Sequence, residues 1–455
     1  MRRAAFLLAL PLAACVSAGP RAPAPVAAGV VAPAGWRSVE GQQATVDADW
    51  WTRFGDPALS ALVVRALANN VDVAVAAARV EEARAAEALA RAQLSPQVGG
   101  TLPETQGQTL SPFGTASRAI GAQPGVTASF DLDLFGRLRQ ASRAARAQLL
   151  ATEAARDTVR LAAATSTATG YVTLRALDQR LQIARDTLAA RSEALRIARR
   201  RFETGYSSRL ELRQAQAEYA ATEQLVPAAE LAIARAENAL SLLVGDAPGP
   251  IARGVPLDRL TLPDIPPGLP ADLLRRRPDL FQAEQNLVAA DRSLDSQRAA
   301  FLPNLALTGS AGVVLSTALG NPVGVFSLGG SILAPLFDGG RLAAQEDAAT
   351  ARRDQAAFAY RRTALTAFQE VDDALAGVER TREQAAAFSA QVAAARGALQ
   401  NATNRYRAGY SAYIEQLDAQ RSLLTAELSL IQAENDRLAS AIALYRALGG
   451  GWQRP

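Results

Sequence analysis

FETGYSSRLE, at residues 202–211, returns 204 residues later as YRAGYSAYIE, at residues 406–415. A repeat of this length predicts one fold built from two similar halves, rather than a series of independent domains. The two copies lie between long alanine-rich stretches with helical periodicity. We therefore assign a first repeat to residues 36–245, a proline-rich linker to 246–270, a second repeat to 271–448 and a C-terminal tail to 449–455.

The N-terminus has the pattern of a secreted lipoprotein. Arg2 and Arg3 precede a short apolar run, and small residues lead up to Cys15, the single cysteine of the chain. This leader predicts a signal peptide at 1–14, and it resembles the lipobox of bacterial lipoproteins, in which the cysteine becomes the lipidated first residue. The alternative is an ordinary secretory signal. By the same resemblance Val16 favours the outer membrane, and residues 15–35 are expected to form a lipidated tether.

The composition argues against an enzyme. All 48 basic residues are arginine and histidine is absent, so the commonest general base and metal ligand are missing. Neither a Gly-x-Ser-x-Gly motif nor a nucleotide-binding glycine loop is present. The arginines are interspersed with acidic residues, which argues against a nucleic-acid partner. We predict no enzyme activity, no cofactor and no metal site.

Most of the chain has the pattern of helices, two of them very long. A helix at 136–204 would have about 68 residues and a length of about 100 Å. Gly205 and Gly409 are expected to end the two long helices, and Pro227 predicts a kink or break. The predicted helices lie at 57–94, 136–204, 208–244, 279–301 and 341–408, with a last one that ends near 448.

Each repeat also contains a pair of strand-like segments. Apolar and polar residues alternate over 126–134, 305–309 and 326–334. Strands of about 9–11 residues cross a bilayer core. Four strands cannot close a barrel and an open sheet edge cannot face lipid, so several chains are needed: two would supply eight strands, and three would supply twelve and leave a lumen. No apolar run after the leader reaches about 18 residues, so no transmembrane helix is expected.

The last helix has a seven-residue apolar period. Four sustained heptads predict coiled-coil-like packing against a neighbouring helix, with an amphipathic helix of a globular bundle as the alternative. One seam consists of Leu417, Leu424, Ile431, Leu438 and Tyr445, and the other of Arg421, Leu428, Asn435 and Ile442.

Together these features resemble the TolC-like outer-membrane efflux proteins, in particular the NodT-type lipoproteins. The resemblance covers nearly the whole chain after the leader. Its motifs are WW at 50–51 with Phe54 and DP at 56–57, DLFGR at 133–137, RRRPD at 275–279, PLFDGGR at 335–341, LDAQR at 417–421 and LGGGW at 448–452.

The resemblance implies a mainly α fold with a membrane β-barrel portion. The expected assembly is a homotrimer in the cell outer membrane, with a shared twelve-stranded β-barrel and a twelve-helix α-barrel that extends into the periplasm. The implied partners are a periplasmic adaptor (membrane fusion) protein, an inner-membrane RND pump and outer-membrane lipid. The implied function is the outer-membrane channel of a tripartite efflux system, a passive exit duct for drugs and other small molecules.

Three alternatives stay open beside this function. The same duct could serve a type I protein secretion system. A hydrolase is disfavoured by the missing histidine, and a purely structural periplasmic coiled-coil protein is disfavoured by the strand pairs. Asp131 and Asp133 are expected to face the lumen or the junction between barrel and helices, with ordinary solvation of the two carboxylates as the alternative.

The resemblance also implies two kinds of site near the glycine turns. Positions after the second turn match the family's periplasmic aperture, in which one apolar ring and one ring of aspartates narrow the mouth: Ile414, Glu415 and Asp418. Glu211 is the first-repeat counterpart of Glu415 and is expected to link neighbouring helices. The turns themselves match the adaptor-docking tips, through Gly205, Tyr206, Ser207, Gly409, Tyr410 and Ser411. Ser411 stands where the family has arginine.

Overall fold

The structure, a computed structural model, describes residues 23–37, 46–110, 112–114, 116–263, 265, 268–317 and 319–454. Helices dominate it. They are α1 (Pro57–Asn69), α2 (Val71–Ala92), α3 (Arg137–Glu203), α4 (Arg209–Glu223), α5 (Leu225–Leu243), α6 (Pro270–Arg276), α7 (Pro278–Ala299), α8 (Arg341–Arg407) and α9 (Tyr413–Ala447).

The structure confirms the predicted positions of the two long helices. α3 and α8 have 67 residues each. Both are rich in alanine, arginine and glutamine or glutamate, which favour helix over other conformations. Each ends two residues before a glycine with positive φ, Gly205 or Gly409.

Two predicted helices are divided in the structure. The predicted helix at 57–94 is wrong as a single element, because Asn70 adopts an extended conformation between α1 and α2. The Asn70 side chain accepts a hydrogen bond from the Val73 N–H at 3.1 Å and thereby caps α2. The predicted break near Pro227 is confirmed: α4 ends before Gln224, and Pro227 lies in the first turn of α5, where its missing N–H is tolerated.

One helical stretch of the described residues, Pro57–Ala92, is long and apolar enough to cross a membrane by composition alone. This differs from the expectation of no such stretch, which rested on uninterrupted apolar runs. The stretch is broken at Asn70, and Leu59, Val63 and Ala66 of α1 are buried against other protein. An apolar face covered by protein is typical of a core helix.

The sheet contains six strand segments, all of them paired in antiparallel fashion. The segments are β1 (Gln97–Thr101), β2 (Glu104–Leu110), β3 (Ala116–Ala122), β4 (Gly125–Asp131), β5 (Asn304–Ser316) and β6 (Val323–Leu333).

These segments follow four paths, as predicted. Pro103 separates β1 from β2, and Pro124 separates β3 from β4, because proline has no N–H to give to the ladder. β5 pairs with both β4 and β3, so those two segments lie end to end along it. The order of the paths is β1–β2, β3–β4, β5 and β6. Nearly all residues of β6 are exposed, among them Phe326 and Leu328.

The predicted alternation at 126–134 is wrong beyond Asp131. Asp133 has φ of 44°, which ends the extended conformation. Its carboxylate accepts hydrogen bonds from the N–H groups of Leu138 and Arg139, both at 2.9 Å. Asp133 therefore caps the start of α3, where a carboxylate is favoured by the helix dipole.

The described residues divide into two compact units, and both repeats contribute to each. The first unit contains residues 23–29, 79–153 and 282–362, and the second contains 30–37, 46–78, 154–281 and 363–454, apart from the gaps given above. The whole sheet belongs to the first unit. The glycine turns, α4, α5 and α9 belong to the second.

The core of the second unit collects the aromatic residues of the N-terminal motif. Trp50 stacks on Tyr445, with ring centroids 4.9 Å apart. Asp56 is buried, caps α1, and accepts a hydrogen bond from the Tyr171 hydroxyl at 2.8 Å. Burial, followed by this hydrogen bond, raises the pKa of Tyr171 to about 12.

Burial confirms the first predicted seam of α9 but only part of the second, in which Ile442 is buried, Leu428 and Asn435 are half-buried and Arg421 is exposed. Leu417, Ile431, Leu438 and Tyr445 are buried and Leu424 is half-buried. The predicted tether is packed over part of its described length. Ala28 is buried in a 3₁₀ helix at Val26–Ala28, and the carbonyl of Pro23 accepts a hydrogen bond from Arg353 at 3.3 Å.

Candidate functional site at the two helical hairpins

The turn between α3 and α4, residues 204–208, is called here the first tip. Gly205 has φ of 79°. Its N–H donates to the Phe202 carbonyl at 3.0 Å, and the Tyr206 N–H donates to the Arg201 carbonyl at 2.8 Å. This pair of bonds is a Schellman motif, which satisfies the last carbonyls of α3 and needs glycine at the left-handed position.

The turn between α8 and α9, residues 408–412, is called the second tip and has the same backbone. Gly409 also has φ of 79°. Its N–H donates to the Tyr406 carbonyl at 3.1 Å, and the Tyr410 N–H donates to Arg405 at 2.9 Å. Both tips present a tyrosine to solvent: Tyr206 is 88% exposed and Tyr410 80%.

Ser207 and Ser411 follow these tyrosines and are half-buried in the turns. Neither hydroxyl oxygen has a hydrogen-bond partner among the described residues. The repeat thus extends from the glycine to the serine in conformation as well as in sequence.

The two tips differ where the next helix begins. Ser208 precedes α4, and its hydroxyl accepts a hydrogen bond from the Glu211 N–H at 3.3 Å. Ala412 precedes α9 with nearly the same backbone angles but has no side chain to cap the helix.

The predicted aperture residues lie on the exposed side of α9. Ile414 is 41% exposed and the Asp418 side chain 67%. They are one turn apart and so share a face of the helix. Glu415 lies 3.7 Å from Arg405 of α8. The opposite side of α9 is buried, through Tyr413 and Leu417, which pack with Ala198 and Ala215.

The Glu211 side chain of α4 contacts the second repeat. Its carboxylate accepts a hydrogen bond from the Tyr406 hydroxyl, which joins α4 to α8. Burial, followed by this hydrogen bond, raises the pKa of Tyr406 above its ordinary value. The guanidinium of Arg201 lies 4.6 Å from the Tyr406 ring centre, a cation–π contact from α3.

A charge cluster next to these residues, buried at Arg191 and Glu218 and open to solvent at Arg421, has no counterpart among the predicted sites. The Glu218 carboxylate of α4 accepts a hydrogen bond from Arg421 Nε at 2.8 Å and lies 3.5 Å from Arg191 of α3. The Arg191 side chain is 3% exposed and also donates to Gln420. Burial lowers the pKa of Arg191, and Glu218 opposes that change. The hint of this cluster in the sequence is Arg421, a charged residue in a heptad seam that also contains Leu428 and Ile442.

Asp131 and Asp133 lie elsewhere, in the first unit. Asp131 accepts a hydrogen bond from Asn304 at 2.9 Å and pairs with Arg137 at 3.4 Å. Both aspartates therefore join strands to the start of α3, which matches the junction alternative. Cys15 lies outside the described residues, and among those residues no group of three acidic, cysteine or histidine side chains could hold a metal ion.

Residues 62–246 and 269–450 match the family described as Outer membrane efflux protein. The chain belongs to this family. It is 35% identical over 412 residues to the cation efflux system protein CusC of Escherichia coli O6:H1, and the matched region covers 90% of this chain and 89% of that protein. It is 32% identical over 445 residues to the pyoverdine export outer membrane protein OpmQ of Pseudomonas aeruginosa, with 95% and 94% covered.

The fold of this efflux protein is similar to solved channels. The outer-membrane channel OprN matches it with a TM-score of 0.87 and 29% identity, over 96% of this chain and 100% of that one. These relatives are outer-membrane channels rather than enzymes. The protein is therefore an outer-membrane efflux channel that works with partner proteins, and the predicted family, fold class and location are confirmed.

Proposed function

We propose that the chain forms a homotrimer that acts as the passive exit duct of a tripartite efflux pump for drugs and other small molecules. A periplasmic adaptor and an inner-membrane RND pump would be its partners. The sheet supports an assembly of several chains. Each of its two outer paths, β1–β2 and β6, has a hydrogen-bonded neighbour on only one side among the described residues. An open edge cannot face lipid, and three copies of four paths would close it.

The two tips are the proposed docking sites for the adaptor. The observation that supports this role is the recurrence of one Schellman turn in both repeats, each with an exposed tyrosine. A helix cap needs glycine but not the tyrosine after it. Exposed aromatic residues are the side chains that most often anchor protein interfaces.

A photo-crosslinking amino acid tests the docking role in cells. It is placed at Tyr206, at Tyr410 and, as a control, at Leu231, which is exposed on α5 away from the tips. We expect one periplasmic protein to be captured at both tips and not at Leu231. Capture at neither tip contradicts the docking role. Identifying the inner-membrane protein that co-purifies with the channel separates an RND pump from the alternative, a type I secretion transporter.

Ile414 and Asp418 are the proposed constriction of the periplasmic mouth. They share the exposed face of the helix that follows the second tip. Three copies of Asp418 around one axis would create a focused negative field that favours cations. Adaptor contact would open the mouth by moving the short helices against the long ones. The bond between Glu211 and Tyr406 joins a short helix to a long one, so it would have to break.

Single-channel conductance in planar bilayers tests the constriction. Ile414→Ala is expected to raise conductance, and Asp418→Ala to reduce cation selectivity. The repeat supplies matched controls, Leu210→Ala and Gln214→Ala, at the equivalent positions of α4. Unchanged conductance and selectivity in both α9 variants would exclude this assignment. Lipidation of Cys15 is a separate proposal, and the intact mass of the mature protein tests it by comparison with Cys15→Ser.

A further inference from the structure

The helix ends around the two tips differ in charge, although the turns themselves have the same backbone. Residues 196–213 contain six arginines and two glutamates, a net charge of +4. The equivalent residues of the second repeat, 400–417, contain two arginines and one glutamate, a net charge of +1. Five first-repeat arginines have uncharged counterparts; the pairs are Arg196 and Gln400, Arg199 and Thr403, Arg200 and Asn404, Arg209 and Tyr413, and Arg213 and Leu417.

Four of these arginines are exposed and have no carboxylate partner among the described residues. Arg199 and Arg200 form no salt bridge with any residue that the structure describes, and the guanidinium of Arg209 lies 5.8 Å from the Phe202 ring centre. Arg213 donates to the neutral side chain of Gln216 at 3.0 Å. We call Arg199, Arg200, Arg209 and Arg213 the arginine group. The fifth, Arg196, is paired with Glu193.

Neighbouring groups also contribute to the charge around the arginine group. Glu193 is an acid close to this group: the hydrogen bond from Arg196 lowers its pKa, and the charge of Arg200 adds to this effect. Glu193 therefore offsets part of the charge of Arg200 without forming a salt bridge to it. The N-terminus of α4 contributes a further partial positive charge beside Arg209. The surface around the first tip is therefore positive, and within the described part of the chain the arginine group forms no salt bridge.

This positive surface surrounds apolar contact area. Tyr206 and Leu210 are both exposed beside Arg209. An aromatic and aliphatic centre with a charged rim is the composition of a protein interface. At the second tip the counterparts Tyr410 and Ile414 are also exposed, but the surrounding charges differ. The position of Arg209 is occupied by Tyr413, which is buried, and Arg405 lies 3.7 Å from Glu415. The two tips therefore offer different chemistry to a partner.

We propose that the first tip binds an acidic segment of the partner protein, while the second tip binds an uncharged one. This inference rests on the proposed docking of an adaptor at the tips. Carboxylates on the partner would pair with the arginine group around the Tyr206 and Leu210 centre. Such rim charges accelerate association and make it dependent on salt.

The test uses the full-length channel and the periplasmic protein captured by crosslinking. The arginine group is replaced by glutamine, which preserves helix propensity, and the association rate is measured by surface plasmon resonance at several ionic strengths. We expect the rate to fall about tenfold at low salt, where the Debye length is about 30 Å, and to differ little at about 1 M salt. Thermal unfolding of the variant trimer checks that it is folded.

The matched control is Arg405→Gln with Arg407→Gln at the second tip. We expect its association rate to change less than about threefold, with the salt dependence of the wild type. An arginine-group variant that associates as fast as the wild type, with the same salt dependence, overturns the inference. That result leaves the docking role intact, because the latter fails only if neither tip captures a protein.

An anionic membrane is the other surface that could attract the arginine group. Vesicles of phosphatidylethanolamine with phosphatidylglycerol are the probe. Loss of vesicle binding in the variant, with the adaptor association rate unchanged, assigns the arginines to lipid and overturns the inference. A charge exchange gives the supporting result. The arginine group of the channel is replaced by glutamate, and acidic residues near the contact site of the adaptor are replaced by arginine. Loss of association with the channel variant alone, and its recovery when both proteins are changed, supports the inference.

Discussion

The two tips have one backbone and two different surroundings. Gly205 and Gly409 share φ and the same two hydrogen bonds, yet the residues that follow diverge. The first tip leads into exposed Arg209 and Leu210, and the second leads into Tyr413, which is buried. The comparison shows that the glycine and the end of the preceding helix determine the turn. The side chains after the turn decide whether it is a surface or part of a core.

The two copies are also bonded to each other. α4 supplies the acids, Glu211 and Glu218, while the second repeat supplies the donors, Tyr406 and Arg421. The equivalent positions of α9 carry Glu415 and Ser422. The acids of the first repeat and the donors of the second repeat are therefore complementary. Each of the following substitutions tests one part of this difference between the repeats.

The largest effect is expected from Glu218→Ala. The Glu218 side chain is 11% exposed, and its removal leaves Arg191, which is 3% exposed, without its carboxylate. Breaking a buried charge cluster from one side costs about 3–5 kcal/mol. We expect a loss of this size in the free energy of unfolding, measured by denaturant titration in detergent.

The second repeat supplies the control for this change. Ser422, the counterpart of Glu218, is exposed. Ser422→Ala is expected to change the free energy of unfolding by less than about 0.5 kcal/mol. Equal effects of the two substitutions would show that the charge cluster does not distinguish the copies.

Opposite effects are expected from removing the hydroxyls of Tyr406 and Tyr413. Tyr406 donates to Glu211, and a hydrogen bond to a charged group contributes about 1.5–3 kcal/mol. The Tyr413 hydroxyl is buried without a partner among the described residues, so its loss removes a desolvation cost. Denaturant titration should show Tyr406→Phe to be less stable than the wild type, and Tyr413→Phe equally or more stable. A destabilised Tyr413→Phe would reveal a partner for that hydroxyl.

The same tyrosine makes stability depend on alkaline pH. The pKa of Tyr406 is raised by burial and by Glu211, so the folded state keeps a proton that the unfolded state loses above about pH 10. The contribution of Tyr406 to the free energy of unfolding is constant below that pH and falls as the pH rises above it. Tyr406→Phe should have a shallower decline above about pH 10. Tyr171, whose pKa is raised to about 12, sustains part of the decline in both proteins.

Equal, smaller effects are expected from Gly205→Ala and Gly409→Ala. A Cβ at either position meets no atom within 4 Å, so the cost comes from the left-handed backbone alone. That cost is about 1–2 kcal/mol per residue. Gly397→Ala, within α8 and also in open space, is the control and should stabilise by about 0.5–1 kcal/mol. Unequal costs at the two tips, by denaturant titration, would mean that their backbones are not equivalent.

Local patterns predicted the features that depend on local physics. The long helices follow from composition, their ends from glycine, and the break near Pro227 from a missing N–H. The break at Asn70 could not be predicted from the sequence, because apolar periodicity continues through it and the cap depends on the conformation of one side chain. Alternation likewise continued past Asp131, although Asp133 serves the following helix.

The partners of buried charges needed the tertiary structure. Arg191 and Glu218 are separated by 27 residues, and Glu218 and Arg421 by 203. Nothing in either sequence segment specifies that α3, α4 and α9 meet at these residues. Tyr413 shows the same limit, since its burial depends on the small neighbours Ala198 and Ala215. The heptad pattern predicted Leu417 in the seam but could not extend the core to Tyr413.

The smallest expected effect comes from exchanging the residues that precede α4 and α9. Ser208 has φ and ψ of −76° and 157°, and Ala412 has −75° and 154°. Because the backbones match, Ser208→Ala should lose about 1 kcal/mol of unfolding free energy, and Ala412→Ser should gain about 0.5–1 kcal/mol from a new cap. The double exchange should be nearly neutral. If Ala412→Ser gains nothing by denaturant titration, the Glu415 N–H, which already donates to the Ala412 carbonyl at 3.1 Å, does not need the hydroxyl. The two tips would then differ in backbone satisfaction as well as in side chains.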